Sequence, residues 1–286
     1  MLLTPILPRV AMARATCLCS SSLSRSLLPV LYHRTTLSSS VFRQNRFGST
    51  VRRRYFTNQT RFHVAPVQAK AKRGLTSKPE EVASVEDLQF EAPLKIVEYP
   101  DPKLRVRNKR IETFDDNLKK LVDEMFKVMY KTDGYGLSAP QVGVNVQLMV
   151  FNPAGEEGEG QEIVLVNPKV NKYSKKTRLF NEGCLSFPGI YADVERPESL
   201  KIDAQDVNGA RFTVDMSGFT ARIFQHEFDH LQGILFFDRM TEEVLDSILV
   251  ELKALEKKYE QKTGLPSPEK IETRKRRKAA VGFGKS

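Results

Sequence analysis

The first acidic residue of this 286-residue chain is Glu80. Before it, 14 lysines and arginines stand without a single aspartate or glutamate, and residues 273–286 repeat the pattern with six. That leaves 25 of the 45 basic residues against all 35 acids, so residues 80–272 carry a net charge of −10 within a chain that sums to +10. A chain divided this way reads as an acidic body between two basic ends, and the body gives no sign of sequence-specific nucleic-acid binding. The leader is rich in arginine and serine (Ser20, Ser21, Ser22, Ser24, Ser26, then Ser38, Ser39, Ser40) with short apolar patches between. That is the composition of an organellar transit peptide. Its early apolar run is interrupted by Pro5, Pro8, Arg9 and Arg14 and is too short to span a membrane. The expected division is a transit peptide and flexible leader over 1–75, one folded domain over 76–263, and a basic flexible tail over 264–286.

Setting the leader aside changes the count of reactive side chains. Cys17, Cys19, His33 and His63 leave with it, so the body holds one cysteine, Cys184, and two histidines, His226 and His230. A lone cysteine forms no internal disulfide, which suits a reducing compartment.

Residues 80–110 read as an extended lead-in with Pro93, Pro100 and Pro102. A helix is predicted over about 115–131, because Leu118, Leu121, Val122, Met125, Phe126 and Met129 recur on one face. Asp115 and Asp116 suit its positive end, and Asp133-Gly134 closes it. Strand-like runs follow at Val146–Phe151, Ile163–Val166 and Leu200–Val207. Asn208-Gly209, between that last run and Ala210–Val214, is a hairpin signal. Ser217 is placed to cap a helix over about 218–231, mostly apolar and therefore buried. A last helix is predicted from Thr241 to about Lys262, stopped by Gly264 and Pro266. No internal repeat and no membrane span is found. Runs of strands with separate helices indicate an α+β fold.

His226-Glu227-Phe228-Asp229-His230 is an H-E-x-x-H motif. Four residues is slightly more than one helical turn, so both imidazoles leave the same face and can share one ion. Glu227 points about 100° round from His226 and can reach a water on that ion without binding it. A catalytic site needs a third protein ligand. Gly233 follows the long metzincin pattern, but Phe236 stands where that pattern requires a third histidine. A carboxylate from the next helix (Glu242, Glu243 or Asp246) could complete an endopeptidase-like site. The other candidate is Cys184, in the polar, glycine-bearing stretch Glu182-Gly183-Cys184-Leu185-Ser186.

Three separated segments together resemble the motifs of the peptide deformylase family, in the family's order and spacing. They are Gly134-Tyr135-Gly136-Leu137-Ser138-Ala139-Pro140-Gln141, Glu182–Ser186, and Gln225–His230. Stretches such as Asn152–Gly155 and Phe187–Tyr191 are similar to plant organellar type 1B members. Ser138-Ala139-Pro140 departs from the Ala-Ala-x frequent in bacteria but leaves the glutamine in register. The resemblance implies antiparallel sheets packed around a central metal-binding helix, with a further long C-terminal helix. It implies that Cys184, His226 and His230 hold one divalent metal, Zn²⁺ or Fe²⁺, and that water activated there attacks the formyl carbon of N-formylmethionyl nascent peptides. Glu227 is then the general base and acid, with Gln141 and the Leu185 backbone N–H as donors to the oxyanion. Gly136, Tyr135, Phe219 and Ile223 are the suggested substrate-binding residues. The implied setting is the chloroplast stroma, alone or together with the mitochondrion, with no membrane association. Two other readings are a zinc endopeptidase and a ribosome-associated binding module with a structural metal. The run Arg274-Lys275-Arg276-Arg277-Lys278 suggests a ribosome contact through the tail.

Overall fold

The computed structural model describes residues 80–273, and the transit-peptide expectation and the basic run of the tail lie outside them. The described part holds a five-stranded antiparallel sheet in the order β1-β2-β3-β6-β7 and a separate hairpin, β4–β5. The large sheet comprises β1 (Gly136–Ser138), β2 (Leu148–Phe151), β3 (Ile163–Tyr173), β6 (Ser199–Gln205) and β7 (Arg211–Ser217). The hairpin comprises β4 (Thr177–Cys184) and β5 (Phe187–Pro197).

Two helices sandwich the sheet, as the side-chain alternation of β2 requires. Leu148 and Val150 point to one face and join a core built on α1 (Asp116–Lys131). Met149 and Phe151 point to the other and join a core with Ala221, Ile223 and Phe224 of α2 (Gly218–Leu231). The predicted apolar stripe of α1 is its buried face, and Asp115 caps it by accepting a hydrogen bond from the Leu118 N–H at 3.0 Å. Ser217 occupies the N-cap position of α2, but its side chain makes no capping hydrogen bond. It ends β7 opposite Ser199, so the strand sets its orientation. The hairpin signal at Asn208-Gly209 is a turn closed by Gly209 N–H to the Asp206 carbonyl, with Gly209 in the left-handed region at φ +85°.

The predicted single last helix is two: α3 (Glu242–Ser247) and α4 (Leu249–Thr263), broken at Ile248. The Ser247 hydroxyl donates back to the Val244 carbonyl at 2.7 Å, and Ile248 leaves helical geometry at φ −112°, ψ 11° with its side chain buried. The stripe Leu245, Ile248, Leu252, Leu255 crosses the break without a change of period, so periodicity alone could not reveal it.

The hairpin β4–β5 was not anticipated. Its first strand is mostly exposed and its second carries Pro188 and Gly189. Yet Ile190, Ala192, Val194 and Arg196 alternate inward along β5, and three of the four are apolar. Ile190, Ala192 and Val194 pack with Phe187, Phe236 and Phe237 and the stripe of α3 and α4 in a third core.

The tail boundary at 264 also needs correction. Ile271 is fully buried in that third core, its N–H donates to Glu256 at 2.7 Å, and Glu269 pairs with Arg105 at 2.6 Å. Residues 264–273 therefore strap back onto α4, and Gly264, Pro266, Pro268 and Lys270 around it concealed the one buried apolar anchor. Ile271→Ala is expected to destabilise the chain by about 2–5 kcal/mol, as truncation of a buried aliphatic does. Denaturant unfolding measures this, and a change below roughly 0.5 kcal/mol would show the strap to be undocked.

Candidate metal centre

Helix α2 carries His226 and His230 on one face, and the β4–β5 turn brings Cys184 against it. Cys184 Sγ lies 3.3 Å from His230 Nε2, and one donor atom from each of the three residues falls within 4.8 Å of the others. His226 and His230 are buried and Cys184 is half-buried. The alternative third ligands Glu242, Glu243 and Asp246 are exposed on α3, and none belongs to the cluster. Three donors, rather than four, leave a position open for chemistry.

His226 is aimed by its other neighbour. His226 Nδ1 is 3.0 Å from Glu182 Oε2, which fixes Nδ1 as the proton-bearing nitrogen and turns Nε2 inward. His226 Nε2 is then a buried nitrogen with no hydrogen-bond partner. A buried acceptor in that condition costs free energy unless something binds it, and an imidazole lone pair beside a thiol and a second imidazole suits a divalent ion. The residues present fit such an ion.

Glu182 itself is held by two arginines. Arg196 Nε and Nη2 grip its carboxylate at 2.7 and 3.0 Å, and Arg222 Nη1 reaches it at 2.9 Å. Arg196 Nη1 continues to Asp229 at 2.6 Å, and Arg239 closes on the same carboxylate at 2.5 Å. Glu182, Arg196, Arg222 and Asp229 are all buried. Burial alone would raise the Glu182 pKa, but hydrogen bonds from His226 and Arg196 outweigh it and hold the carboxyl well below the usual range. Removing one member would strand a buried charge, typically a loss of 3–5 kcal/mol. Sequence reasoning quoted Glu182 and Asp229 only as motif letters and missed Arg196 and Arg222. An arginine at an inward position of an alternating strand was the available signal.

The remaining predicted residues fall as follows. Glu227 is buried, and burial raises its pKa against the opposing pull of His226. Its Oε2 has no hydrogen-bond partner. Gly136 is where the first motif meets α2. A Cβ there would stand 2.7 Å from both Glu227 Oε1 and Ile223 Cγ2, so only glycine allows this approach. Gln141, in a short 3-10 turn after β1, is buried with Nε2 3.6 Å from Cys184 Sγ. Leu185 follows Cys184 in the β4–β5 turn, its side chain half-buried beside Gly134. Tyr135 and Phe219 are partly exposed and meet edge to face at 5.1 Å, extended by Phe180 at 6.0 Å from Phe219. They form an aromatic rim open to solvent, while Ile223 is buried beneath it. No described helix is long and apolar enough to cross a membrane.

Comparison with known proteins bears on this arrangement. Residues 93–245 match the family model described as polypeptide deformylase. The chain is 64% identical over 274 residues to peptide deformylase 1B, chloroplastic/mitochondrial, of Arabidopsis thaliana, covering 95% of this chain and 99% of that one. It is 65% identical over 231 residues to the chloroplastic 1B protein of rice, covering 78% and 86%. The crystal structure of the Arabidopsis 1B protein with an inhibitor aligns at a TM-score of 0.62 and 73% identity over 63% of this chain and 99% of that one. A Plasmodium falciparum peptide deformylase aligns at 0.58 and 43% identity over 59% and 99%.

Proposed function

We propose a residue-level mechanism for this chain, which belongs to the polypeptide deformylase family. The protein is a hydrolase that removes the formyl group from N-formylmethionyl nascent peptides, releasing formate and a free methionine amine. It works in the chloroplast, and the name of the Arabidopsis relative adds the mitochondrion. The leader 1–75 is proposed as its transit peptide and the domain that follows as the catalytic unit.

Cys184, His226 and His230 are proposed to hold one divalent ion, Zn²⁺ or Fe²⁺. When bound, the ion supplies Lewis acidity and lowers the pKa of water beside it toward neutrality. Glu227 accepts that water's proton and returns it to the leaving amine. The Gln141 amide and the Leu185 backbone N–H donate to the formyl oxygen as it gains charge. Gly136 lets the substrate backbone lie close to Glu227, and Tyr135, Phe219 and Ile223 offer an apolar surface for the methionine side chain. The observation that carries this reading is the Cys184–His226–His230 donor set, its two histidines buried and its cysteine half-buried, with Glu227 and Gln141 beside it. Incubation with a formyl-methionyl peptide tests it. Formate and the intact deformylated peptide are expected, whereas cleavage at an internal bond would make the protein an endopeptidase.

The basic end of the tail is proposed as a ribosome contact. Deleting residues 274–286 is expected to leave turnover of short peptides unchanged and to weaken salt-sensitive sedimentation with organellar ribosomes. Equal sedimentation of the truncated and full chains would remove the contact, and a roughly tenfold loss on short peptides would give the tail a part in chemistry.

A further inference from the structure

The mechanism above leaves Ser138 without a part, although it is fully buried between the two groups that flank the metal ligands. It ends β1 and starts the 3-10 turn Ala139–Val142. Gln141 Oε1 accepts two hydrogen bonds from it, one from the Ser138 N–H at 2.9 Å and one from the Ser138 hydroxyl at 2.7 Å. A backbone N–H can only donate, so this contact fixes which end of the Gln141 amide is oxygen. The opposite end is therefore the NH₂, lying 3.6 Å from Cys184 Sγ and 3.4 Å from Ser186 Oγ. Two donors on the carbonyl oxygen do more than orient the amide. They draw density from the nitrogen and make its hydrogens better donors, as chains of hydrogen bonds do in a low-dielectric interior.

We propose that Ser138 is a positioning residue for the oxyanion donor, its hydroxyl locking and polarising the Gln141 amide so that Nε2 faces the reacting carbonyl. The proposal rests on the deformylase reading of Gln141. Ser138 does not touch substrate; it acts through Gln141. The competing role is set by the same geometry, because the hydroxyl also reaches the Glu227 carboxylate. A hydroxyl has one hydrogen, and the 2.7 Å contact makes Gln141 Oε1 an acceptor for it in competition with Glu227.

A double-mutant cycle separates these roles. Ser138→Ala, Gln141→Ala and the double variant are compared with the parent in formate release from a formyl-methionyl peptide, with metal content measured on each. Alanine keeps the backbone donor and removes one hydrogen bond, so kcat is expected to fall about three- to tenfold while KM and metal content hold. A donor that works on developing charge acts in the transition state and spares KM. In the Gln141→Ala background the same substitution is expected to change nothing further. In the zinc-loaded protein, the Gln141 side-chain amide protons are expected to shift upfield in Ser138→Ala. An unchanged kcat, or an equal fall with and without Gln141, would overturn the proposal, the second outcome assigning Ser138 to Glu227 or to the fold. A parent chain that released no formate would instead remove the deformylase reading, while the amide shift would still report whether Ser138 holds Gln141.

Discussion

Glu227→Gln is expected to fold, keep about one metal ion per chain, and lose roughly 10²–10⁴ in turnover, the usual worth of a positioned proton-transfer group. Glutamine is nearly isosteric with glutamate, so the close approach of Gly136, where a Cβ would stand 2.7 Å from Glu227 Oε1, is preserved. The three metal donors are untouched, because Glu227 is not one of them. What is lost is the ability to take a proton from water and give it to the amine. Circular dichroism, metal analysis and formate release on one preparation check the three parts together. Retention of more than about a tenth of the parent's turnover would mean that another group moves the proton.

Cys184→Ala is expected to fail differently, by losing the metal. The thiolate is the only anionic donor in the set, and two neutral imidazoles hold a divalent ion poorly. His226 should stay in place, since Glu182 and the buried arginines orient it independently of the cysteine. The variant should therefore be folded, emerge from purification largely without metal, and release no formate. A metallated, fully active variant would show that a carboxylate completes the site, against the exposed placement of Glu242, Glu243 and Asp246 on α3. Full occupancy without activity would instead separate Cys184 from binding and keep it in the chemistry.

The parts of the molecule that were legible in the sequence are those governed by local rules. The stripe of α1 announced its buried face, Asn208-Gly209 announced a hairpin, and the spacing of His226 and His230 announced that the two imidazoles share one face of α2. Cys184 was separable from the carboxylates only through the three ordered motifs, because it lies 42 residues from His226 and local pattern says nothing at that range. The arginine network was hidden for a related reason. Arg196 earns its buried place by pairing with Glu182 and Asp229, which are remote along the chain and meet it only once β4, β5 and α2 have packed. The division at Ile248 was hidden because one residue out of helical geometry barely moves the apolar stripe. The strap at Ile271 was hidden because a single anchor in a polar stretch has no period at all.

The central claim is that formate release by this chain depends on one ion held by Cys184, His226 and His230. The direct measurement strips the purified chain of metal under anaerobic conditions, returns Zn²⁺ or Fe²⁺ in steps, and follows formate release from a formyl-methionyl peptide against the metal bound. The expected result is no release from the stripped chain, then a linear rise that ends at about one ion per chain. Formate release by the metal-free chain at the parent's rate would contradict the account.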